Sequence, residues 1–232
     1  RGLGDVYKRQ PVNHRYLTGE QFAKLTGVEL PTYRLCHARD LFVFSTFTGL
    51  GRADLANLTS ENIVTEPDGS RWIHIERQKT KAECHIKLLD IPSRIIDKYK
   101  GEGKDGKLFF VPATSSLCRS LKMIEEQCKL GCHLTFYMAR HSFATLICLG
   151  NGVPIETISR MMGHSSIRTT QIYAEITNQK VNRDLLRLAD TTKNQYSLPD
   201  DKMTPRVYQC GRYNGWKEEE DKDDNRTSGK AM

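Results

Sequence analysis

The residues best suited to chemistry lie between residues 134 and 175. Arg140 lies near the start of a predicted helix, His164 follows a glycine, and Tyr173 comes nine residues after that histidine. A guanidinium donates two parallel hydrogen bonds to phosphate oxygens, and an imidazole can donate another as negative charge develops. The Tyr173 hydroxyl could attack a phosphodiester and keep the phosphoryl group on the protein, so that the bond energy is retained. The pattern therefore indicates reversible phosphoryl transfer through a covalent intermediate.

This chemistry requires the surroundings of Tyr173 to assist the ionisation of its hydroxyl. A free phenol has a pKa near 10, so its ionisation at pH 7 must be assisted by ~4 kcal/mol. Each residue also has an ordinary structural explanation when it is taken singly. Tyr173 could face water from an amphipathic helix, Arg140 could bind a structural carboxylate, and His164 could end a helix. The residue types alone leave these alternatives open.

The elements that would position these residues are predicted from periodicity. Thr18 and Gln21 form a capping-box pattern before apolar residues spaced by three, which predicts a first helix. A run of alternating residues from Glu61 to Leu89, with a turn at Pro67–Ser70, predicts a three-stranded antiparallel ribbon. The other predicted helices cover residues 33–47, 93–99, 115–128, 139–149, 154–162 and 179–189. We therefore expect an α+β fold that is mainly α-helical.

Composition is that of a globular protein with a basic excess. The 232 residues carry a formal net charge of +7, and 38% of them are hydrophobic. This excess is compatible with a polyanionic partner, and we find no apolar run of the ~20 residues that a membrane span requires. The seven cysteines are scattered and odd in number, which favours reduced thiols in a cytoplasm. Cys128, Cys132 and His133 lack the further ligand of a zinc site, so we predict no metal.

The two ends of the chain differ from its middle. Residues 1–10 have no apolar period, and residues 5–10 resemble the translated end of a transposon adapter, so we expect an artefact there. Residues 11–190 are predicted to be the folded domain. Residues 191–232 are rich in charged and polar residues, which predicts a disordered tail.

Several motifs together resemble the tyrosine recombinase, or phage integrase, family. They are Arg140-His-Ser-Phe-Ala-Thr145, Met162-Gly-His164 and the spacing to Tyr173, over a resemblance that covers residues 15–185. Segment 47–58 resembles the first-arginine segment of that family, and segment 77–80 resembles its lysine-bearing β-turn. The sequence of these motifs is most similar to that of integrases from Bacteroides-type mobile elements.

The resemblance implies a catalytic domain whose N-terminal DNA-clamp domain is missing. It implies a site-specific recombinase that cuts double-stranded DNA through a 3′-phosphotyrosyl intermediate during integration or excision, without a cofactor or metal. Tyr173 would be the nucleophile, Arg140 and His164 would bind the phosphate, and Lys79 would be the general acid. We expect a homotetramer on DNA, accessory DNA-bending proteins and a cytoplasmic, nucleoid-associated location. The residues expected to bind DNA are Lys79, Lys81, Arg140, Arg160 and Arg168.

Two positions depart from the family pattern. Gly51 stands where the first arginine is usual, and Arg52 follows it, about 100° further around a helix. Tyr137 stands where a histidine is usual, and His133 is a weaker candidate to replace it. We expect His141 to pack against the site rather than react. The departures keep open a catalytically impaired DNA-binding remnant, and a topoisomerase-like relaxing enzyme is a third alternative.

Overall fold

The protein is mainly helical over residues 16–78, 81–174 and 176–193, which this computed structural model describes. The helices are α1 (Gly19–Gly27), α2 (Tyr33–Thr48), α3 (Arg52–Asn57), α4 (Asp90–Lys98), α5 (Thr114–Cys128), α6 (Phe136–Ser142), α7 (Ile155–Met162), α8 (Ile167–Tyr173) and α9 (Asn178–Lys193). The strands β1 (Ile63–Thr65), β2 (Arg71–Glu76) and β3 (Glu83–Lys87) form an antiparallel sheet in the order β1-β2-β3. The predicted fold class is confirmed.

The first two helices form for local reasons that the sequence contains. Thr18 caps α1, because its hydroxyl accepts from the Gln21 amide at 3.2 Å and the Gln21 side chain accepts from the Thr18 amide at 3.0 Å. Helix α2 lies in the middle of the core and is buried on almost every side, so it lacks an amphipathic period. It ends at Gly49, whose φ of +66° is left-handed. A Cβ there would lie 2.5 Å from the Phe143 ring, so this turn requires glycine.

The sheet is short, and its inner face joins the core. Ile73 of β2 pairs with Ile86 of β3, and both side chains are fully buried. The connection between these strands is closed by two backbone bonds, from the Arg77 amide to the Ala82 carbonyl at 2.9 Å and from the Lys81 amide to the Arg77 carbonyl at 3.0 Å. Lys79 and Thr80, which belong to this connection, lie outside the described residues.

The helical boundaries differ from the predictions at several points. Helix α6 begins at Phe136 instead of Ala139, and the predicted continuation is a π-helix at Phe143–Cys148 followed by a 3₁₀ turn. The apolar pattern cannot separate these types, because they differ in backbone hydrogen bonding. Helices α3 and α8 have six and seven residues, which is too short for a clear period. No helix in the described ranges is long and apolar enough to cross a membrane.

The chain divides into two units, residues 1–190 and 191–232. Helix α9 continues to Lys193, three residues beyond the predicted domain end. The rest of the predicted tail, and all of the predicted artefact at residues 1–10, lie outside the described residues.

Two groups of buried side chains form the interior of the first unit. The larger one, the main core, surrounds α2 and includes Leu41, Phe44 and Leu50. The smaller one, the C-terminal cluster, comprises Phe143, Ala144, Cys148, Ile158, Met162 and Ala174. Met161 packs against both groups. Arg140 connects the two groups, because it donates to the carbonyl of Gly49 at the end of α2 and to the carbonyl of Met162 in the C-terminal cluster.

Candidate active site

The fold brings Tyr173, Arg140 and His164 together from three separate segments. Arg140 projects from α6, His164 follows α7, and Tyr173 is the last residue of α8. Arg140 Nη2 lies 2.9 Å from His164 Nε2, and the Arg140 Cζ atom lies 5.5 Å from the centroid of the Tyr173 ring. The His164 and Tyr173 ring centroids are 5.2 Å apart. A cation, an imidazole and a phenol therefore share one site.

The Arg140 guanidinium is held by backbone carbonyls. Its Nη1 donates a short hydrogen bond to the Gly49 carbonyl, and its Nη2 donates to the Met162 carbonyl at 2.9 Å. Burial, followed by the nearby charge of Arg77, lowers the pKa of Arg140 to about 10. The group is still charged at neutral pH, and it is a partly buried cation without a bonded carboxylate among the described residues.

His164 is placed by Gly163, which ends α7 in a left-handed conformation. Its Nδ1 lies 2.9 Å from the Thr170 hydroxyl, while Nε2 faces Arg140. Because a guanidinium only donates, Nε2 accepts, so in the neutral ring the proton lies on Nδ1 and is donated to Thr170. Burial and the charges of Arg140 and Arg77 lower the pKa of His164 to about 4. The ring is therefore neutral at pH 7 in the unliganded site.

Tyr173 is fixed at both its backbone and its ring. Its carbonyl accepts from the Thr145 hydroxyl at 2.9 Å, and its ring stacks on His141 with centroids 4.5 Å apart and an angle of 25°. Its hydroxyl accepts a hydrogen bond from Tyr137 at 2.6 Å. A donor on this oxygen stabilises negative charge there. Tyr137 and His141, both predicted as accessory residues, thus lie in direct contact with the predicted nucleophile.

Other predicted residues lie outside this group or are not described. Lys79 is outside the described residues, so its position relative to Tyr173 stays a prediction. Arg52 donates to the Pro112 carbonyl at 2.9 Å, which occupies its guanidinium away from the carbonyls that hold Arg140. His133 lies 3.4 Å from a Glu125 oxygen, in a contact separate from the Tyr137 hydroxyl.

The predicted DNA-binding residues other than Lys79 and Arg140 are exposed. Lys81 pairs with Glu76 at 3.1 Å, and both side chains are well exposed. Arg160 lines an open cavity of about 570 Å³ that is also lined by His164 and Lys87. Arg168 lies in the first turn of α8. The described residues contain no group of three or more His, Cys, Asp or Glu side chains that could hold a metal.

Arg77 is a site residue that the sequence did not single out. Its side chain is only 4% exposed, and its Nη1 donates to Asp54 at 2.8 Å. Its Nη2 donates to the Met161 carbonyl at 3.3 Å and to the Gly49 carbonyl at 3.5 Å. A signal was present, because Ile73 and Ile75 alternate along β2 and Arg77, directly after its last residue, continues the same alternation towards the buried face. Arginine is almost never fully buried unless it is paired, so a buried arginine at that position indicates a specific partner.

Comparison with known proteins is consistent with this geometry. The sequence pattern of the phage integrase family matches residues 15–180. The tyrosine recombinase XerA of Saccharolobus solfataricus is 28% identical over 149 residues, which are 64% of this chain and 49% of that protein. XerA of Thermococcus onnurineus is 29% identical over 174 residues, 69% of this chain and 58% of that protein. This chain therefore spans about half the length of the curated relatives it matches.

Solved structures show the same fold. A crystal structure of a XerA recombinase superposes with a TM-score of 0.61 at 20% identity, covering 75% of this chain and 64% of the other. The Tn1549 transposon integrase in complex with transposon right-end DNA superposes with a TM-score of 0.55 at 20% identity, covering 75% and 66% of the two chains. With the family match over more than half of its length, the chain belongs to the phage integrase family.

Proposed function

We propose that this chain is the catalytic part of a site-specific DNA recombinase that cuts and rejoins strands through a 3′-phosphotyrosyl intermediate. The observation that carries the proposal is the convergence of Tyr173, Arg140 and His164 from three segments within hydrogen-bonding or ring-contact distance. Family membership supports the same chemistry.

Each side chain has a defined task in the proposed reaction. The Tyr173 hydroxyl releases its proton to solvent as its oxygen attacks the scissile phosphorus, a P–O bond to tyrosine forms, and the bond to the 5′ oxygen breaks. The Arg140 guanidinium stabilises the negative charge on the non-bridging oxygens. The departing 5′ oxygen takes a proton, and Lys79 is proposed as its donor on the strength of the family resemblance. Rejoining runs these steps in reverse from the free 5′ hydroxyl.

His164 must change its hydrogen bonds when a phosphate enters. In the unliganded site its Nε2 accepts from Arg140, so it has no proton to give on that side. A phosphate that recruits Arg140 frees Nε2 and places a negative charge beside it. Either protonation or transfer of the ring proton from Nδ1 then allows Nε2 to donate to a phosphate oxygen, with Thr170 able to donate to Nδ1 in the second case.

Tyr137 is proposed to assist the nucleophile. Its hydroxyl donates to the Tyr173 oxygen at 2.6 Å, which favours the charged form of the attacking group. Tyr137 is 56% exposed, so the pair of phenols is open to solvent on this side. A tyrosine at this position therefore supplies a hydrogen-bond donor where the family usually has a histidine.

The proposed partner is double-stranded DNA, and the Tn1549 transposon integrase, which shares the fold, has been solved in complex with transposon right-end DNA. Arg160, Arg168 and Lys81 offer exposed positive charge for phosphate contacts, which position a duplex without specifying its sequence. We further propose a homotetramer on DNA, help from DNA-bending proteins, and a cytoplasmic, nucleoid-associated location. Integration or excision of a Bacteroides-type mobile element is the proposed role, on the sequence resemblance described above.

The test is covalent trapping on nicked duplexes made from the ends of the surrounding mobile element. Wild-type protein is expected to give an adduct that survives denaturation in detergent, and Tyr173→Phe is expected to give none while still binding the duplex. Tyr137→Phe is the matched control, because it removes the neighbouring phenol hydroxyl and leaves the nucleophile. An adduct that persists in Tyr173→Phe and disappears in Tyr137→Phe would reassign the nucleophile.

A catalytically impaired DNA-binding remnant is the second candidate. It is favoured by one observation: Arg52, the arginine next to Gly51, is occupied by the Pro112 carbonyl. If the chain is such a remnant, the wild-type protein and the Tyr173→Phe variant should bind the nicked duplex with equal affinity. Neither protein should give an adduct. Adduct formation by the wild-type protein alone excludes it.

A further inference from the structure

Two arginines, not one, point their guanidinium groups at the same carbonyl. Arg140 Nη1 and Arg77 Nη2 both donate to the Gly49 oxygen, so the two positive groups are separated by only a few ångströms. They also bind successive carbonyls at the end of α7, Arg77 that of Met161 and Arg140 that of Met162. Like charges repel strongly at this range inside a protein, so such an arrangement needs compensation.

The compensation available within the described residues is incomplete. Asp54 pairs with Arg77 at 2.8 Å, and no described carboxylate pairs with Arg140. One carboxylate therefore faces two guanidinium groups, and the neutral His164 ring adds no negative charge. The site has a net positive charge that an anion would offset. The anion that the proposed function supplies is the scissile phosphate.

The place of Arg77 relates it to the glycine where the family usually has an arginine. Gly51 caps α3, and a Cβ built on it would lie 3.5 Å from Asp54 Oδ2, the same oxygen that accepts from Arg77. A side chain at position 51 would thus start beside the carboxylate that Arg77 reaches from the end of β2. The Arg77 guanidinium therefore reaches the Asp54 carboxylate from the sheet, and a side chain at position 51 would reach it from the start of α3.

Resting on the proposed function, we propose that Arg77 is the second guanidinium of the phosphate-binding site and supplies the positive charge that is absent at Gly51. Because its side chain is 4% exposed, it acts through Arg140 and the Gly49 carbonyl and not by touching the phosphate. It is a positioning residue: its charge adds to the field at the phosphate, and its hydrogen bonds tie β2 to α3 and to the end of α7.

Gly163 supports this close placement. A Cβ at Gly163 would lie 2.8 Å from the Arg77 Cγ atom and 2.5 Å from the Cys84 sulfur. The glycine that precedes His164 thus leaves the space in which the stem of Arg77 lies. The same glycine positions the histidine and admits the arginine.

Arg52 is the rival for this role, and the geometry separates the two. Arg52 donates to Pro112, on the connection before α5, whereas Arg77 shares an acceptor with Arg140. Arg77 is buried and Arg52 is partly buried, and each has a side-chain Nε with no hydrogen-bond partner among the described residues. Replacing each in turn therefore compares the loss of a positive charge at two different places.

The experiment measures single-turnover cleavage of the nicked duplex together with binding of inorganic phosphate. The variant is Asp54→Asn with Arg77→Met, which removes the ion pair without leaving a buried carboxylate unpaired. We expect cleavage to fall about 10²-fold or more and the stabilisation of the protein by phosphate to be lost. Asp54→Asn alone is expected to keep phosphate binding. Arg52→Met is expected to keep cleavage within about threefold of wild type.

A purely structural role for Arg77 is tested by two further measurements. In the Asp54→Asn, Arg77→Met protein, the pKa of His164 followed by NMR should rise, because the charge of Arg77 lowers it. Gly51→Arg added to Arg77→Met should recover cleavage at least tenfold over Arg77→Met alone, since the new arginine can pair with Asp54. If the double variant folds poorly, this rescue still tests whether Arg77 contributes to cleavage.

The outcomes are distinct from those of the proposed function. Cleavage at the wild-type rate in the folded double variant, or an equal loss in Arg52→Met, would overturn the role of Arg77. If the wild-type protein forms no adduct, the recombinase proposal fails, and phosphate stabilisation alone decides about Arg77. Phosphate stabilisation that is unchanged in the double variant would then count against it.

Discussion

Gly49 directly follows the last residue of α2, and its carbonyl supports the candidate site. Its φ is +66°, and its carbonyl accepts hydrogen bonds from both Arg140 and Arg77. A methyl group added at Gly49 would have ring atoms of Phe143 at 2.5, 2.8 and 3.1 Å. We therefore predict that Gly49→Ala destabilises the protein and slows cleavage together.

The size of the effect has two parts. The left-handed conformation costs a residue with a Cβ about 1–2 kcal/mol, and forcing a methyl group against a buried ring costs about 1–3 kcal/mol more. The total is a loss of about 2–5 kcal/mol in the free energy of unfolding. Gly69 is the matched control, because its φ is +80° and nothing lies within 4 Å of a built Cβ. Gly69→Ala should lose only the first part, about 1–2 kcal/mol.

The assay is urea denaturation of both variants, followed by single-turnover cleavage at a temperature where each is folded. Gly49→Ala should be less stable than Gly69→Ala and also slower in cleavage, while Gly69→Ala should cleave at the wild-type rate. In a Phe143→Leu background the extra loss from Gly49→Ala should shrink, because the ring that meets the methyl group is gone. Equal losses for the two glycines, or no coupling to Phe143, would refute the steric argument.

Three further outcomes follow from contacts in the site. Tyr137→Phe removes the 2.6 Å hydrogen bond to the Tyr173 oxygen, so single-turnover cleavage should slow about tenfold, or ~1.4 kcal/mol, and an unchanged rate would contradict assistance by Tyr137. His164 has a folded-state pKa near 4 against 6.5 unfolded, so the folded state resists protonation there. Its contribution to stability should be present above about pH 6.5 and be lost as the pH falls towards 4, by about 1–2 kcal/mol after discounting for solvent screening. Denaturation curves of wild type and His164→Gln should converge across that interval, and parallel curves would show that the ring is not buried in its neutral form. Thr145→Val removes the donor to the Tyr173 carbonyl, so adduct formation should slow about tenfold with a stability loss of only about 1 kcal/mol, and loss of stability without slower cleavage would mean that Thr145 does not position the nucleophile.

Much of the fold could be predicted because its signals are local. The capping box at Thr18 and the alternation through Ile73 and Ile86 depend on neighbouring residues, and both features are present in the structure. The π-helical segment at Phe143–Cys148 could not be predicted, since an apolar run does not specify which carbonyl each amide will choose. Helix α3 was missed because six residues do not establish a period.

The candidate site was predictable only where motifs mark it. Arg140, His164 and Tyr173 were found by residue type and spacing, and the fold places them together. Arg77 was passed over as a neighbour of Lys79, although the alternation of β2, continued to the residue after its end, marked it as a buried arginine. Its contact with Gly49 joins residues 28 positions apart, and no local pattern reports that pairing.

The division of the interior into a main core and a C-terminal cluster has a consequence for motion. Tyr173 packs against the smaller cluster and His164 lies two residues after Met162 of that cluster, whereas Gly49 caps the end of a helix in the larger one. The two groups are joined by the arginine-to-carbonyl bonds, by Met161, which packs against both, and by the Phe143 ring beside Gly49. Because the smaller cluster contains fewer buried apolar side chains, we predict that it opens as a cooperative unit at a lower free energy than global unfolding. Hydrogen exchange would then be faster in α7 and α8 than in α2, and a bound phosphate would slow it by joining the two parts. Mobility of the segment that bears the tyrosine would be available to strand exchange without any loosening of the helices around α2.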